Sequence, residues 1–330
     1  MLHLSHKNTL EKSKNLLAFS AGVDSSALFF LLLENHIQFD IAIVNYGMRQ
    51  DADTEVAHAK ALAKKYKCFC HHIKAPSFDT HFEKKARDFR YGFFESLIST
   101  EGYDTLLTAH QLNDQLEWFL MRLSKGAGVS ELLGLEVLTQ KKNYLLMRPL
   151  LEHSKDELFT YLKKNNYPYF IDASNTNEKY ERNKFRKHFS DPLITGYKEG
   201  IKRSFGYLKK DKKNLEKDFE IVYVQKKLYL ITLHTLQSKV KASDLTLKKL
   251  GYVLSASQRQ EIEKESALVI AGLWAIELQN NMLYIAPYST AIMPKKFKEN
   301  CRLLNIPKKI RAYCFEKDID LDMLSIDQTL

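Results

Sequence analysis

Four cysteines in 330 residues (Cys68, Cys70, Cys301 and Cys314) are too few and too scattered to frame a disulfide-stabilised domain. The run Cys68-Phe69-Cys70-His71-His72 invites a zinc reading. Structural zinc sites, however, place two or more residues between paired cysteines, and no second ligand pair lies nearby. A buried strand following a helix accounts for the same residues. Long apolar runs are also missing. The longest near the start, Ala27–Leu33, falls far short of the roughly 20 residues a bilayer-spanning helix needs. The opening Met1-Leu2-His3-Leu4-Ser5-His6-Lys7 lacks the charged, apolar and small-residue regions of a signal peptide, so a soluble cytoplasmic protein is expected. No G-x-x-x-x-G-K-[ST] occurs, which excludes a Walker-type phosphate loop. Internal repeats and low-complexity tracts are absent as well.

What is present is apolar residue and positive charge. Hydrophobic residues make up 45% of the chain, enough for a packed core, and the length suits two domains of about 100–200 residues. The formal net charge of +10 favours a polyanionic partner. Much of the surplus lies between 184 and 217, in Lys184, Arg186, Lys187, Lys198, Lys202, Arg203, Lys209, Lys210, Lys212, Lys213 and Lys217. A solvated helix face explains a lysine run equally well, so charge alone does not establish nucleic-acid binding.

Apolar strand-like runs alternate with helical patterns through the first half. Strands are expected at 15–19, 39–46, 68–73 and 105–109, and helices at 24–34, 53–66, 82–98 and 113–125, the last ended by Gly126-Ala127-Gly128. Such alternation implies parallel strands with helical crossovers: a doubly wound, mostly parallel α/β sheet that binds ligands at the C-terminal ends of its strands. The capping box Ser154-Lys155-Asp156-Glu157 opens a further helix, and a lysine-rich helical stretch is expected to run to about 220. Two strand-like runs then flank Gln225-Lys226-Lys227, Ser257 is read as a helix cap, and 274–278 and 282–286 flank a hairpin turn. The expected organisation is a nucleotide-binding domain over 1–150, a helical extension over 151–217, and a small α+β module over 218–330.

Chemistry concentrates first in Phe19-Ser20-Ala21-Gly22-Val23-Asp24-Ser25-Ser26. A strand ends, small residues turn, and a helix begins. Ala21 and Gly22 let backbone N–H groups approach a phosphate, the helix dipole favours an anion, and Ser20, Ser25 and Ser26 supply hydroxyls. Asp24 suits such a place only if a divalent cation such as Mg2+ sits beside the phosphates. An ordinary helix capped by Ser20 or Asp24 is the plainer reading. The second concentration is Thr108-Ala109-His110-Gln111-Leu112-Asn113-Asp114-Gln115-Leu116-Glu117. His110 then ends a strand, and Asp114 and Glu117 share a helix face, fit to hold an ammonium group or a metal. A solvated first turn favoured by the helix dipole is the alternative.

The first segment resembles the S-G-G-x-D-S signature of PP-loop ATP pyrophosphatases, with Ala21 in place of glycine. The second resembles the A-H-H-x-x-D-Q-x-E-T block of the tRNA(Ile)-lysidine synthetase family. Further resemblances follow in order: Glu83-Lys84-Lys85-Ala86-Arg87-Asp88-Phe89-Arg90-Tyr91, the glycine-bearing 126–135 loop, Arg148-Pro149-Leu150-Leu151, Asp172-Ala173-Ser174-Asn175 and Arg182-Asn183-Lys184-Phe185-Arg186. Together they cover about residues 15–190. Val44-Asn45-Tyr46-Gly47-Met48-Arg49 matches the family's V-D-H-G-L-R only in part.

The resemblance implies an adenine nucleotide alpha hydrolase-like fold and an ATP-dependent ligase. Its members adenylate C2 of the wobble cytidine of an isoleucine tRNA with a CAU anticodon. The ε-amine of free L-lysine then attacks, and AMP and pyrophosphate are released. Carried over residue by residue, Ser20, Ala21, Gly22, Val23, Asp24, Ser25 and Ser26 would bind pyrophosphate, with Asp24 on Mg2+. Arg49, Arg87 and His110 would surround the α-phosphate or the reacting base, and Asp114 and Glu117 would hold the lysine amine or metal. Asn175, Arg182 and Arg186 would meet the flipped cytidine or the ATP phosphate. The C-terminal module would bind tRNA, no membrane partner is implied, and a homodimer is compatible. Asn45-Tyr46, Gln111, Asn113 and Trp118 depart from the pattern, and the loss of acids at 45 and 113 puts metal contacts in doubt.

Two rival readings stand beside this one. A PP-loop tRNA thiolase would need reactive cysteines, usually a C-x-x-C pair that this chain lacks. A non-catalytic RNA-binding protein on a degenerate PP-loop fold would bind RNA without turning over ATP.

Overall fold

Alternating apolar and amphipathic runs fold as a six-stranded sheet in the order β3-β2-β1-β4-β6-β5. The computed structural model describes residues 2–47, 52–78, 82–171 and 181–324. Strands β1 (Asn15–Ala18), β2 (Phe39–Asn45), β3 (Cys70–Lys74), β4 (Thr105–Leu107) and β6 (Leu145–Met147) run parallel, and β5 (Leu138–Gln140) is an antiparallel edge. The helices between them are α1 (Lys7–Glu11), α2 (Val23–Glu34), α3 (Ala52–Tyr66), α4 (Phe82–Glu101), α5 (Leu112–Leu123), α6 (Val129–Leu132) and α7 (Lys155–Lys164). Because β1 pairs with β2 on one side and β4 on the other, the winding reverses at β1. In open α/β sheets, ligands bind at the C-terminal strand ends where the winding reverses, here beside β1 and β4.

The period-two alternation of the strands sorts the core into two layers. Leu17, Ile41, Ile43 and Leu107 face α2, α3 and α7, while Leu16, Ala42 and Leu106 face Phe94 and Ile98 of α4. Helix α2 is apolar all round and buried from Ser25 to Leu32, as a helix between a sheet and further helices must be. Phe29 and Phe30 are fully buried, and Tyr167 stacks flat on Phe30 with centroids 3.8 Å apart. Each such ring contributes about 1.5–3 kcal/mol by leaving water.

Several ends differ from the sequence expectation by local chemistry. Lys67 adopts φ 58 and ends α3, so Cys68 lies before β3 rather than within it. The Gly126-Ala127-Gly128 stop is followed by the single helical turn α6. The lysine-rich stretch is not one continuous helix. It comprises α8 (Glu181–Phe185), a π-helical turn (Arg186–Ser190) and α9 (Asp191–Leu215), with a break at Tyr197 (φ −137, ψ 24). It gives way to a strand at Phe219.

The chain divides into compact units at Lys209/Lys210. The second unit holds the antiparallel sheet β7-β8-β11-β10-β9, made of β7 (Phe219–Gln225), β8 (Leu228–Leu233), β9 (Ala267–Ile270), β10 (Trp274–Gln279) and β11 (Met282–Pro287). Asn280 at φ 53 makes the expected β10–β11 hairpin turn. Leu283 and Ile285 pack on α10 (Lys239–Lys249) and α11 (Ala256–Lys264). Tyr284 and Ala286 pack toward α12 (Lys295–Leu303) and α13 (Arg311–Glu316) on the other face. The cap of α11 is Ser255, two residues before the expected Ser257, because Gln258 at the third helical position completes the capping box with it.

Candidate functional site

At the end of β1 the chain turns through Ser20 and Ala21 into α2. The N-cap is Gly22, and no side chain caps the helix. The capped-helix alternative therefore fails, and the first amides of α2 keep their donor capacity for a ligand. Ala21 sits at φ 57, a conformation that glycine adopts without strain. Its carbonyl is used twice, by the hydroxyl of Ser26 (3.2 Å) and by the amide of Phe170 (2.8 Å). Ser26 is fully buried, so its hydroxyl fixes the turn rather than facing a ligand. Ser25 Oγ donates to Gly22 O and meets Ser20 Oγ at 3.1 Å, which leaves Ser20 at the exposed lip of the turn.

Asp24, in the first turn of α2, has a buried Oδ1 with no hydrogen-bond partner. Burial, then the neighbouring Asp114 and Asp191, pushes its carboxyl up to about 7, against the pull of Lys155 and Arg186. A buried carboxylate without a partner fits a cation: Mg2+ keeps most of its waters and takes one or two carboxylates alongside phosphate oxygens. Among the described residues, no group of three or more His, Cys, Asp or Glu side chains could by itself enclose a metal ion.

The opposite wall is α5, which starts where β4 ends. Gln111 caps it, accepting from Asn113 N at 2.5 Å, while Asp114 Oδ2 accepts from Gln111 N at 3.1 Å. Asp114 and Glu117, one helical turn apart, both point to the segment carrying Arg182 and Arg186. Arg182 bonds Glu117 through Nε and Asp114 Oδ1 at 2.9 Å. Arg186 reaches Glu117 Oε2 at 2.9 Å and Asp114 Oδ1 at 3.2 Å. A side chain at 182 and one at 186 can both meet α5 because they lie four residues apart, the latter opening the π-helical turn. The acids expected to hold an amine or a metal and the arginines expected to hold a base or phosphate are thus bonded to each other.

Burial opposes ionisation of Asp114, yet the guanidiniums of Arg182 and Arg186 hold its carboxyl below the usual range. Burial pushes Glu117 up despite the same two guanidiniums. His110 is driven down to about 4, first by burial and, against the pull of Asp114, also by Arg148, Arg182 and Arg90, so it is a neutral imidazole at neutral pH. Its Nδ1 lies 2.9 Å from Thr108 Oγ1.

Of the remaining site candidates, Arg49 and Asn175 lie outside the described residues. Arg87 is exposed and lays its guanidinium over the Tyr91 ring, 4.8 Å from the ring centre. Arg90, one turn further along α4, is the arginine of that helix whose charge reaches His110, together with Arg148 and Arg182. It shares a face with Arg87 at helical spacing, and that was the available signal. Arg148 was not among the sequence candidates. It is buried at the end of β6 and donates to Glu136 O (2.7 Å) and Thr139 Oγ1 (3.0 Å). Lys155 and Asp191 come from distant segments, and nothing in the sequence marks their approach to Asp24.

The 126–135 loop is held by α5. Trp118 Nε1 donates to Glu131 O at 3.0 Å, and Gln115 Nε2 to Leu135 O at 3.2 Å. A Cβ on Gly134 would lie 2.8 Å from the Trp118 ring, so only glycine fits beneath it. All four thiols are pushed up by burial, Cys68 to about 11 and Cys314 to about 12, the opposite of what a sulfur-transferring cysteine needs.

The chain matches the PP-loop domain family over residues 2–193. It is 46% identical over 319 residues to tRNA(Ile)-lysidine synthase of Campylobacter jejuni (strain RM1221), covering 96% of this chain and 97% of that one. It is 41% identical to the Wolinella succinogenes protein of the same name, covering 97% and 98%. The Helicobacter pylori (strain 26695) protein of that name is 41% identical, covering 94% and 92%.

Proposed function

The chain belongs to the tRNA(Ile)-lysidine synthase family of ATP-using PP-loop ligases, and from that premise we propose that it joins free L-lysine to the wobble cytidine of an isoleucine tRNA with a CAU anticodon. The observation that carries the reading is the meeting, at one end of the sheet, of an uncapped helix start with an acid–arginine quartet. Bound ATP supplies the adenylyl group that turns the C2 oxygen of the cytidine into a leaving group. As the lysine ε-nitrogen bonds to C2, the C2–O bond breaks and AMP departs with that oxygen.

The residues divide this work by charge. The amides that open α2 and the hydroxyl of Ser20 bind the pyrophosphate, with Asp24 as the carboxylate for Mg2+. Asp114, kept ionised, holds the incoming ammonium group. Glu117, raised by burial, accepts its proton; environments that push two carboxyls apart separate their roles in this way. Arg182 and Arg186 are released from the acids by that cation and stabilise charge on the α-phosphate, with Arg49 and Arg87 alongside. His110, being neutral, donates or accepts a hydrogen bond at the reacting base and carries no charge there. Asn175 contacts the flipped cytidine, and the C-terminal module binds the tRNA body.

The test is incubation with ATP, Mg2+, labelled lysine and isoleucine tRNA. Label in the tRNA with stoichiometric AMP supports the reading, and Glu117→Gln lowers the rate at saturating lysine. Absence of both label and AMP overturns it, and AMP-independent RNA binding would favour the non-catalytic alternative.

A further inference from the structure

Asn113 is buried in the first turn of α5, immediately before Asp114, and both ends of its amide are used. Its Nδ2 donates to Asp191 Oδ1 at 2.7 Å, and its Oδ1 accepts from the backbone N–H of Lys155 at 3.2 Å. Lys155 is the first residue of α7 and Asp191 the first of α9. One side chain therefore ties together the starts of three helices that are distant in sequence: α5 with Asp114 and Glu117, the α8–α9 segment with Arg182 and Arg186, and α7, which packs on α2. Lys155 and Asp191 also lie close enough to Asp24 to shift its carboxyl.

We propose that Asn113 and Asp191 are a matched pair of positioning residues that set the distance between the acids of α5 and the arginines of the α8–α9 segment. The inference rests on the ligase reading above. The hydrogen-bond pattern fixes the residue types. Position 113 must accept from a backbone N–H and also meet Asp191, which as a carboxylate only accepts. An amide supplies both functions, whereas an aspartate would set two carboxylates face to face. Exchanging the two residues keeps every bond, because a carboxylate at 113 would accept both from Lys155 N and from an amide at 191. A fault in the pair displaces the reacting groups rather than removing one of them, so it shows in kcat more than in the KM for ATP.

The experiment compares wild type, Asn113→Asp, Asp191→Asn and the double exchange N113D/D191N in full-length protein. It measures lysidine formation, KM for ATP and the thermal midpoint. Asn113→Asp should lower kcat by roughly 10- to 100-fold, since misplacement of about 1 Å has that effect. Asp191→Asn retains an amide carbonyl to accept from Asn113 and should stay within about threefold of wild type. The double exchange should return to that same range. Wild-type kcat in Asn113→Asp overturns the pairing, and so does failure of a double exchange that melts at the wild-type temperature. Should Asn113→Asp fail to fold, the double exchange still decides: recovery of fold and rate supports the pair, and recovery of fold without rate overturns it. A wild-type protein that makes no lysidine would instead count against the ligase reading itself.

Discussion

Ala21 occupies the left-handed region at φ 57, where an L side chain costs roughly 1–2 kcal/mol. Its methyl is nevertheless fully buried against the α2 core, contributing about 0.8 kcal/mol. A glycine there would relieve the strain, lose the methyl and add entropy to the unfolded chain. These terms nearly cancel, which explains why alanine is tolerated in a turn that resembles a glycine signature. Ala21→Gly should leave the unfolding free energy within about 1 kcal/mol of wild type, while Ala21→Val, β-branched at positive φ, should lower it by about 2 kcal/mol or more. Denaturant midpoints of the two variants check this. Legibility at this scale was uneven. The sequence marked Asp24, His110, Asp114, Glu117, Arg182 and Arg186, because their motifs are contiguous in the chain. Asp191 lies in none of the motifs, Lys155 reads only as part of a helix cap, and Arg148 only as the end of a short strand, so none of the three was marked for the site.

Helix α7 begins with the expected capping box: Ser154 Oγ accepts from Glu157 N (3.3 Å), and Glu157 accepts from Ser154 N (2.7 Å). Glu157 also receives Lys198 at 3.0 Å and Lys202 at 3.8 Å from α9, which cross-braces the two elements flanking the site. Against the effect of burial, these bonds hold its carboxyl down at about 2, compared with 4.5 in an unstructured chain. A depressed carboxyl contributes stability that is fully present above the unfolded value and is lost as pH falls. Acid unfolding of the wild type should therefore include a component between about pH 4.5 and 2 that is missing in Glu157→Gln, read by circular dichroism against pH. A lysine-rich helix face was legible as charge. That two of its lysines are committed to an acid on α7 depends on how the helices cross, which periodicity does not encode.

At the scale of the molecule, the surplus of positive charge is distributed less simply than the sequence suggested. Lys184, Arg203 and Lys210 are exposed along the α8–α9 segment, whereas Lys198 and Lys202 spend part of their charge on Glu157. Binding of tRNA should weaken with salt in proportion to the phosphates engaged. Replacing Lys184, Arg203 and Lys210 by alanine should reduce the log–log salt slope by up to about one per residue, and the Lys198→Ala/Lys202→Ala pair should reduce it less. Fluorescence anisotropy across a salt series measures both, and salt-independent binding would exclude this surface. Among the described residues, no helix is long and apolar enough to cross a membrane.

The alternation of strands and helices from β1 to α5, the parallel sheet and the place of the Ser20–Ser26 turn were determined by the sequence, because hydrophobic period and turn chemistry act over a few neighbouring residues. Cap positions and helix ends were less secure: Ser255 rather than Ser257 starts α11, and Phe219 opens a strand, since tertiary packing shifts such boundaries. Only the tertiary structure decided that the two acids of α5 are bonded to the two arginines some seventy residues on. It alone left Asp24 Oδ1 buried and without a hydrogen-bond partner, set Asp24 near Asp114, and joined Asn113 to Asp191. Charge pairing and desolvation depend on distance in space, and a linear chain specifies that distance only after its helices have packed.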